Sequence, residues 1–162
     1  MEVTLKALAD PRLPDGLNPI VVGCRKTLEQ TYTRLKSQRC PLLRDPSDLD
    51  IDDLPIHEEI TPGTPSPESG ASSFRWLSHA VSRVREAHTL ALVTAPIAKH
   101  AWHAAGHDYP GQTERLAELD GVRQASMLFT AVSPHHGWRL NTLLATTHIP
   151  LKEVSSALTP EL

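Results

Sequence analysis

The residues best suited to chemistry in this 162-residue chain are polar side chains set at the ends of apolar runs. Nine histidines stand out first. His100, His103 and His107 have a metal-like spacing, but they fall on more than one face of a helix. Gly106 interrupts before the third, and no carboxylate pattern of the His-Glu-x-x-His kind accompanies them. His135-His136-Gly137 follows Pro134 between two apolar runs and reads as a turn. His148 is better placed. It follows Leu144-Ala145-Thr146-Thr147 and precedes a proline-started helix, the carboxyl end of a strand where open α/β sheets hold their ligands. A neutral imidazole there suits a divalent cation. The alternative is a histidine that caps the next helix or bonds a loop carbonyl.

Two further strand-end segments carry polar groups. In Thr94-Ala95-Pro96-Ile97-Ala98-Lys99 the lysine can reach a phosphate as a point charge at a helix N-terminus, or stay solvated. In Tyr109-Pro110-Gly111-Gln112-Thr113-Glu114 a Pro-Gly turn leads into a helix start. Gln112 and Thr113 there offer side chains and backbone N–H groups to an oxyanion or hydroxyl. Alternatively, Thr113 is an ordinary N-cap. Neither Gly-x-Gly-x-x-Gly nor a P-loop is present, so no nucleotide fingerprint is visible.

The elements that must position these groups alternate. A short helix carries Val3, Leu5 and Leu8, lacks an N-cap, and stops at Pro11. Pro14-Asp15-Gly16 is a turn, and Pro19-Ile20-Val21-Val22-Gly23 a buried strand. The next helix shows Leu28, Tyr32 and Leu35 on one face, with Thr27 and Gln30 as a capping box. Residues 38–70 hold six prolines and the acidic stretch from Asp45 to Glu59. They read as a long irregular surface loop within one unit, with Leu49, Ile51 and Ile60 offering a short edge strand.

Phe74, Leu77, Val81 and Val84 form a helical stripe. Residues 89–94 read as a strand buried on both faces. A helix over 98–105 stops at Gly106, and another starts near Thr113. Strands follow over 125–132 and 140–147, then a helix from Pro150 with Leu151, Val154 and Leu158 on one face. This order implies an α/β fold, a mainly parallel sheet with flanking helices.

Composition narrows the function. With 40% hydrophobic and 22% charged residues the chain can form a core, and at 4% aromatic that core is expected to be aliphatic. The net charge of −3 carries no basic surplus for nucleic acid. No apolar run has the length of a membrane span, and the N-terminus lacks a signal layout. Two cysteines, Cys24 and Cys40, make neither a disulfide scaffold nor a zinc cluster, so a reducing cytoplasmic setting is expected.

Taken together, Leu92-Val93-Thr94-Ala95-Pro96-Ile97-Ala98-Lys99, the Tyr109 to Glu114 segment, Leu144-Ala145-Thr146-Thr147-His148-Ile149-Pro150-Leu151 and Leu158-Thr159-Pro160-Glu161-Leu162 resemble the 4-hydroxythreonine-4-phosphate dehydrogenase family of vitamin B6 biosynthesis. Glu2-Val3-Thr4-Leu5-Lys6-Ala7-Leu8-Ala9-Asp10-Pro11 is similar to that family's first helix. The resemblance implies NAD- or NADP-dependent oxidative decarboxylation of 4-phosphooxy-L-threonine to 3-amino-2-oxopropyl phosphate. It also implies a divalent cation (zinc, magnesium or cobalt), a homodimer, and a two-lobed subunit like the isocitrate and isopropylmalate dehydrogenases.

His148 matches a metal-binding histidine of the family and Thr113 a substrate-binding threonine. Gln112 stands where many members have a substrate-binding histidine. No residue here is assigned the catalytic role. The family has a Gly-Asp-Pro-type loop before the first helix, and Asn-Pro-His and Tyr-His-Asp-Gln segments further on. The expectation is therefore a partial dehydrogenase chain over 1–162, incomplete at both ends and inactive alone. Two other readings stay open: a truncated interaction subunit, and a related dehydrogenase for threonate or erythronate phosphates.

Overall fold

A computed structural model describes residues 1–86, 91–123 and 125–159. In chain order the elements are α1 (Glu2–Ala7), β1 (Ile20–Gly23), α2 (Arg25–Ser37), β2 (Asp50–Asp53), α3 (Pro67–Arg85), α4 (Lys99–Ala104), α5 (Gln112–Asp120), β3 (Leu128–Val132), β4 (Arg139–Leu143) and α6 (Leu151–Ala157). The fold is mixed α/β. No described helix is long and apolar enough to cross a membrane.

The N-terminal layer is built around α2. Leu28, Thr31 and Leu35 recur on one face and are buried. They pack with Leu5 of α1 and with Leu49 and Ile51. Full burial of one leucine contributes about 1.5–3 kcal/mol, so this cluster carries much of the layer's stability. β1 and β2 pair in parallel, with Val21 opposite Ile51 and Gly23 opposite Asp53. The parallel register brings Asp53 to the start of α2, where its Oδ1 accepts from the Arg25 N–H at 2.8 Å. Cys24 is the N-cap and supplies no side-chain bond. The capping box expected from Thr27 and Gln30 is therefore not formed, because both lie inside the helix. The box that does form is Ser66 with Ser69 at the start of α3.

The 38–70 stretch is more ordered than its prolines suggest. A 3-10 turn over Pro46–Asp48 leads into β2, and Leu49 and Ile51 enter the core. The first turn of α3 begins at Pro67. Proline suits that first position, where its missing N–H would have no helical partner.

A second cluster lies between α3 and α4, and it is aromatic. Trp102 is fully buried, and its indole N–H donates to Ser73 Oγ at 2.8 Å. Phe74 meets it edge-on at 5.2 Å between centroids. The helices approach so closely at Gly70 that a Cβ there would stand 2.0 Å from the Ala101 carbonyl oxygen. α3 is also tied to the β2 layer. Trp76 Nε1 donates to the Leu54 carbonyl at 3.1 Å, and Asp52 Oδ2 lies 3.0 Å from Arg83 Nε and 3.2 Å from His79 Nε2.

Three expectations change in the second half. Residues 91–94 of the expected doubly buried strand form no strand, and Val93 is 93% exposed. Residues 89–90 lie outside the described residues. An apolar run defines what a segment can bury, and the cover must come from other elements. Second, β3 and β4 are shorter than expected and pair antiparallel, Leu128 opposite Leu143 and Val132 opposite Arg139. The intervening 133–138 cannot make a parallel crossover, which needs about a dozen residues or more. Third, the described sheets are two separate pairs, one parallel and one antiparallel, in place of a mainly parallel sheet.

Candidate functional site

The site begins where the extended 91–98 segment meets α4. α4 runs from Lys99 to Ala104 and is closed by Gly106 at φ +85°, a conformation glycine adopts without steric cost. The chain then returns through Tyr109-Pro110-Gly111 and enters α5 at Gln112. Gln112 Nε2 donates to the Ala95 carbonyl oxygen at 2.8 Å. A carbonyl can only accept, so the amide's orientation is determined: Nε2 faces Ala95 and Oε1 remains an acceptor. Thr113 is the second residue of α5 and half-buried, so it is not the N-cap, which is Gly111.

Lys99 converges on the same turn. Its Cε and Nζ lie 3.6 Å from the position a Cβ on Gly111 would take, and Glu114 Oε2 lies 3.3 Å from it. The absence of a side chain at Gly111 gives both groups room. Glu114 Oε2 is buried and has no hydrogen-bond partner among the described residues. The N-terminal turn of α5 thus gathers a cation, a carboxylate, an amide and a hydroxyl, with the backbone N–H groups of a helix start. Such a set can bind a small anion that also carries hydrogen-bonding groups.

α5 has no fully buried residue. Its first turns are attached to α3 through Arg115. The guanidinium lies 4.6 Å from the centroid of Phe74 and 5.6 Å from that of Tyr109. Its Nη2 donates to Ser78 Oγ at 3.2 Å, and Nη1 to Glu118 Oε2 at 3.1 Å and to the Tyr109 hydroxyl at 3.3 Å. The Tyr109 hydroxyl in turn donates to Glu118. That bond, then Arg115, holds the Glu118 carboxyl below its ordinary range, and the same carboxylate raises the Tyr109 phenol. At the far end of α5, Arg85 Nη1 donates to the Leu119 carbonyl at 3.1 Å.

The histidines serve separate purposes. His107 stacks on Phe74 with centroids 3.6 Å apart and planes 5° off parallel. His103 Nδ1 lies 3.1 Å from Asp108 Oδ1, and His100 is exposed. His135 and His136 sit in the β3–β4 turn, each backbone N–H donating to Ser133 Oγ at 3.3 Å. No group of three or more His, Cys, Asp or Glu able to hold a metal occurs among the described residues.

His148 is exposed, five positions after β4 ends, with φ +60°. No hydrogen bond, ion pair or ring contact joins it to α5 among the described residues. Gln112 and Thr113 are consecutive residues in the first turn of α5, and His148 lies in a different segment, after β4. A single imidazole does not complete the three protein ligands typical of a catalytic divalent site, so the described residues do not by themselves fit a resident metal.

In the sequence Glu114 has a place in the Tyr109 to Glu114 segment but no role, and Arg115 is not singled out. Both lie within one helical turn of Gln112, but a lone charged residue on a short helix carries no recognisable pattern.

Comparison with known proteins bears on the whole chain. The family model for "Pyridoxal phosphate biosynthetic protein PdxA" matches residues 15–162. A 4-hydroxythreonine-4-phosphate dehydrogenase of Synechococcus sp. (strain RCC307) is 59% identical over 99% of this chain and 48% of its own. One from Synechocystis sp. is 50% identical over 99% of this chain and 47% of its own. A crystal structure of a 4-hydroxythreonine-4-phosphate dehydrogenase from Burkholderia phymatum superposes with a TM-score of 0.79 at 30% identity, over 99% of this chain and 49% of the other. The chain spans about half the length of the curated relatives it matches.

Proposed function

This chain belongs to the PdxA family of pyridoxal phosphate biosynthetic proteins, and from that premise we propose that it supplies part of the substrate site of a dehydrogenase acting on 4-phosphooxy-L-threonine. The observation that carries the reading is the polar cluster at the start of α5, where the Gln112 amide is oriented by Ala95. In this reading Gln112 Oε1 accepts from the substrate's hydroxyl or ammonium group. The Thr113 hydroxyl donates to an anionic oxygen of the substrate. Lys99 keeps positive charge beside that end of the helix, which suits a phosphorylated ligand.

NAD or NADP would supply the hydride acceptor, and a divalent cation the Lewis acidity. His148 is the one residue of this chain proposed as a ligand to that cation, its partners coming from outside the described residues. A homodimer, a cytoplasmic location and the two-lobed arrangement of the isocitrate dehydrogenases belong to the same proposal.

The test uses a polypeptide of the relatives' length, made by joining this sequence to the remaining segments of the Synechococcus relative. It is assayed with 4-phosphooxy-L-threonine, NAD or NADP, and zinc, magnesium or cobalt, by absorbance of the reduced nucleotide. Turnover whose KM for 4-phosphooxy-L-threonine rises in Gln112→Ala and Thr113→Ala supports the reading. A folded chimera that turns over with KM unchanged in both variants overturns it.

A further inference from the structure

We propose that Arg115 is the positioning residue of this site: it sets where Gln112 and Thr113 stand by clamping α5 and the Tyr109 turn onto α3. The proposal rests on the reading of Gln112 and Thr113 as substrate-binding.

A helix is ordinarily located by the apolar face it buries. α5 buries no residue fully, so that device is weak here. Besides the Gln112–Ala95 bond, the start of α5 is held by the Arg115 side chain, itself 15% exposed, which reaches three places at once. Toward α3, the guanidinium covers the Phe74 ring at 4.6 Å and Nη2 bonds Ser78 Oγ at 3.2 Å. Toward the turn, Nη1 bonds the Tyr109 hydroxyl at 3.3 Å. Along α5, Nη1 bonds Glu118 one turn further on, at 3.1 Å.

Phe74 is itself fixed. His107 stacks on it and Trp102 meets it edge-on, and Trp102 is anchored in the α3–α4 crossing. A rigid chain of contacts therefore runs from the buried Trp102 through Phe74 to Arg115. Arg115 follows Gln112 by three positions and Thr113 by two, so a shift at the clamp moves both with little damping. A planar, forked and permanently charged group is needed to stack and donate in several directions together, and lysine has no such geometry.

The proposal separates from a merely structural role because Arg115 acts through Gln112 and Thr113. In the relatives'-length polypeptide, Arg115→Ala should raise KM for 4-phosphooxy-L-threonine about tenfold or more, as expected for a displaced binding group. The KM for the nucleotide should stay unchanged, and Arg115→Lys should recover only part of the loss. In a Gln112→Ala, Thr113→Ala background, Arg115→Ala should leave KM where that double variant puts it.

Full additivity of Arg115→Ala on the double variant would overturn the proposal. Unchanged KM in Gln112→Ala and Thr113→Ala would instead remove the substrate-site reading on which it rests. In the relatives'-length polypeptide, amide hydrogen exchange gives an independent measurement. Arg115→Ala should speed exchange of the first α5 amides that are slow in the parent while leaving those of α2 unchanged, and equal rates in parent and variant would overturn the clamp.

Discussion

Gln112 Nε2 and the Ala95 carbonyl oxygen are 2.8 Å apart, and this bond ties the first residue of α5 to the bend before α4. It joins two segments seventeen positions apart and decides which face of the amide is offered outward. Gln112→Glu replaces the donor by a carboxylate facing a carbonyl. A net contribution of about 0.5–1.5 kcal/mol per hydrogen bond sets the expected loss of stability. Urea unfolding should show a fall of that size, and Gln112→Met, which lacks the repulsion, a smaller one.

Gly70 tests the α3–α4 crossing. A Cβ there would overlap the Ala101 carbonyl, which is backbone and cannot swing aside. Gly70→Ala should cost about 1–3 kcal/mol or more, as for overpacked cores. Gly63 has φ +82° but open space around it, so Gly63→Ala should show only the smaller backbone cost. Denaturant midpoints for the two variants give the comparison, and equal losses would contradict it.

Tyr109 gives a pH signature. Its phenol is raised above its ordinary value, first by the bond to the Glu118 carboxylate. A raised pKa means the bond's stabilisation is fully present below the ordinary phenol range and is lost as pH rises through the raised value. With Tyr32 replaced by Phe, ultraviolet titration of the remaining tyrosine should show a midpoint above that of a free phenol. Glu118→Gln should lower it.

The β3–β4 hairpin exposes every one of its strand residues, including Leu128, Phe129 and Leu143. Exposed apolar strands with unpaired edges favour self-association. The 162-residue chain should elute from gel filtration as broad or high-mass species. Phe129→Lys should sharpen the profile without lowering the unfolding midpoint, whereas Leu28→Ala, in the core, should cost about 2–5 kcal/mol.

His148 leads to a prediction about activity. The chain spans about half the length of the curated relatives it matches, and His148 is the one metal ligand proposed within it, so the prediction is that the 162 residues alone do not turn over. With 4-phosphooxy-L-threonine, either nucleotide and zinc, magnesium or cobalt, no reduced nucleotide should form. An enzyme-like rate from the 162 residues alone would contradict this.

Local chemistry was legible in the residues themselves. The spacing of Leu28, Tyr32 and Leu35 and of Phe74, Leu77 and Val81 marks α2 and α3, and Gly106 marks the end of α4. Tyr109-Pro110-Gly111 followed by Gln112-Thr113 marks a turn into a helix start, and the four segments around His148 and Gln112 indicate the family. Such signals act over one or two helical turns, because capping, glycine conformation and side-chain spacing are set by near neighbours.

What only the tertiary structure decided spans longer separations. Val21 pairs with Ile51, α3 closes on Ala101 through Gly70, and Arg115 reaches Phe74 and Ser78 across a helix boundary. The expected doubly buried strand failed at 91–94 for the same reason. Burial, sheet partners and cation–π contacts depend on which surfaces meet, and an apolar run or a lone arginine contains no record of its partner.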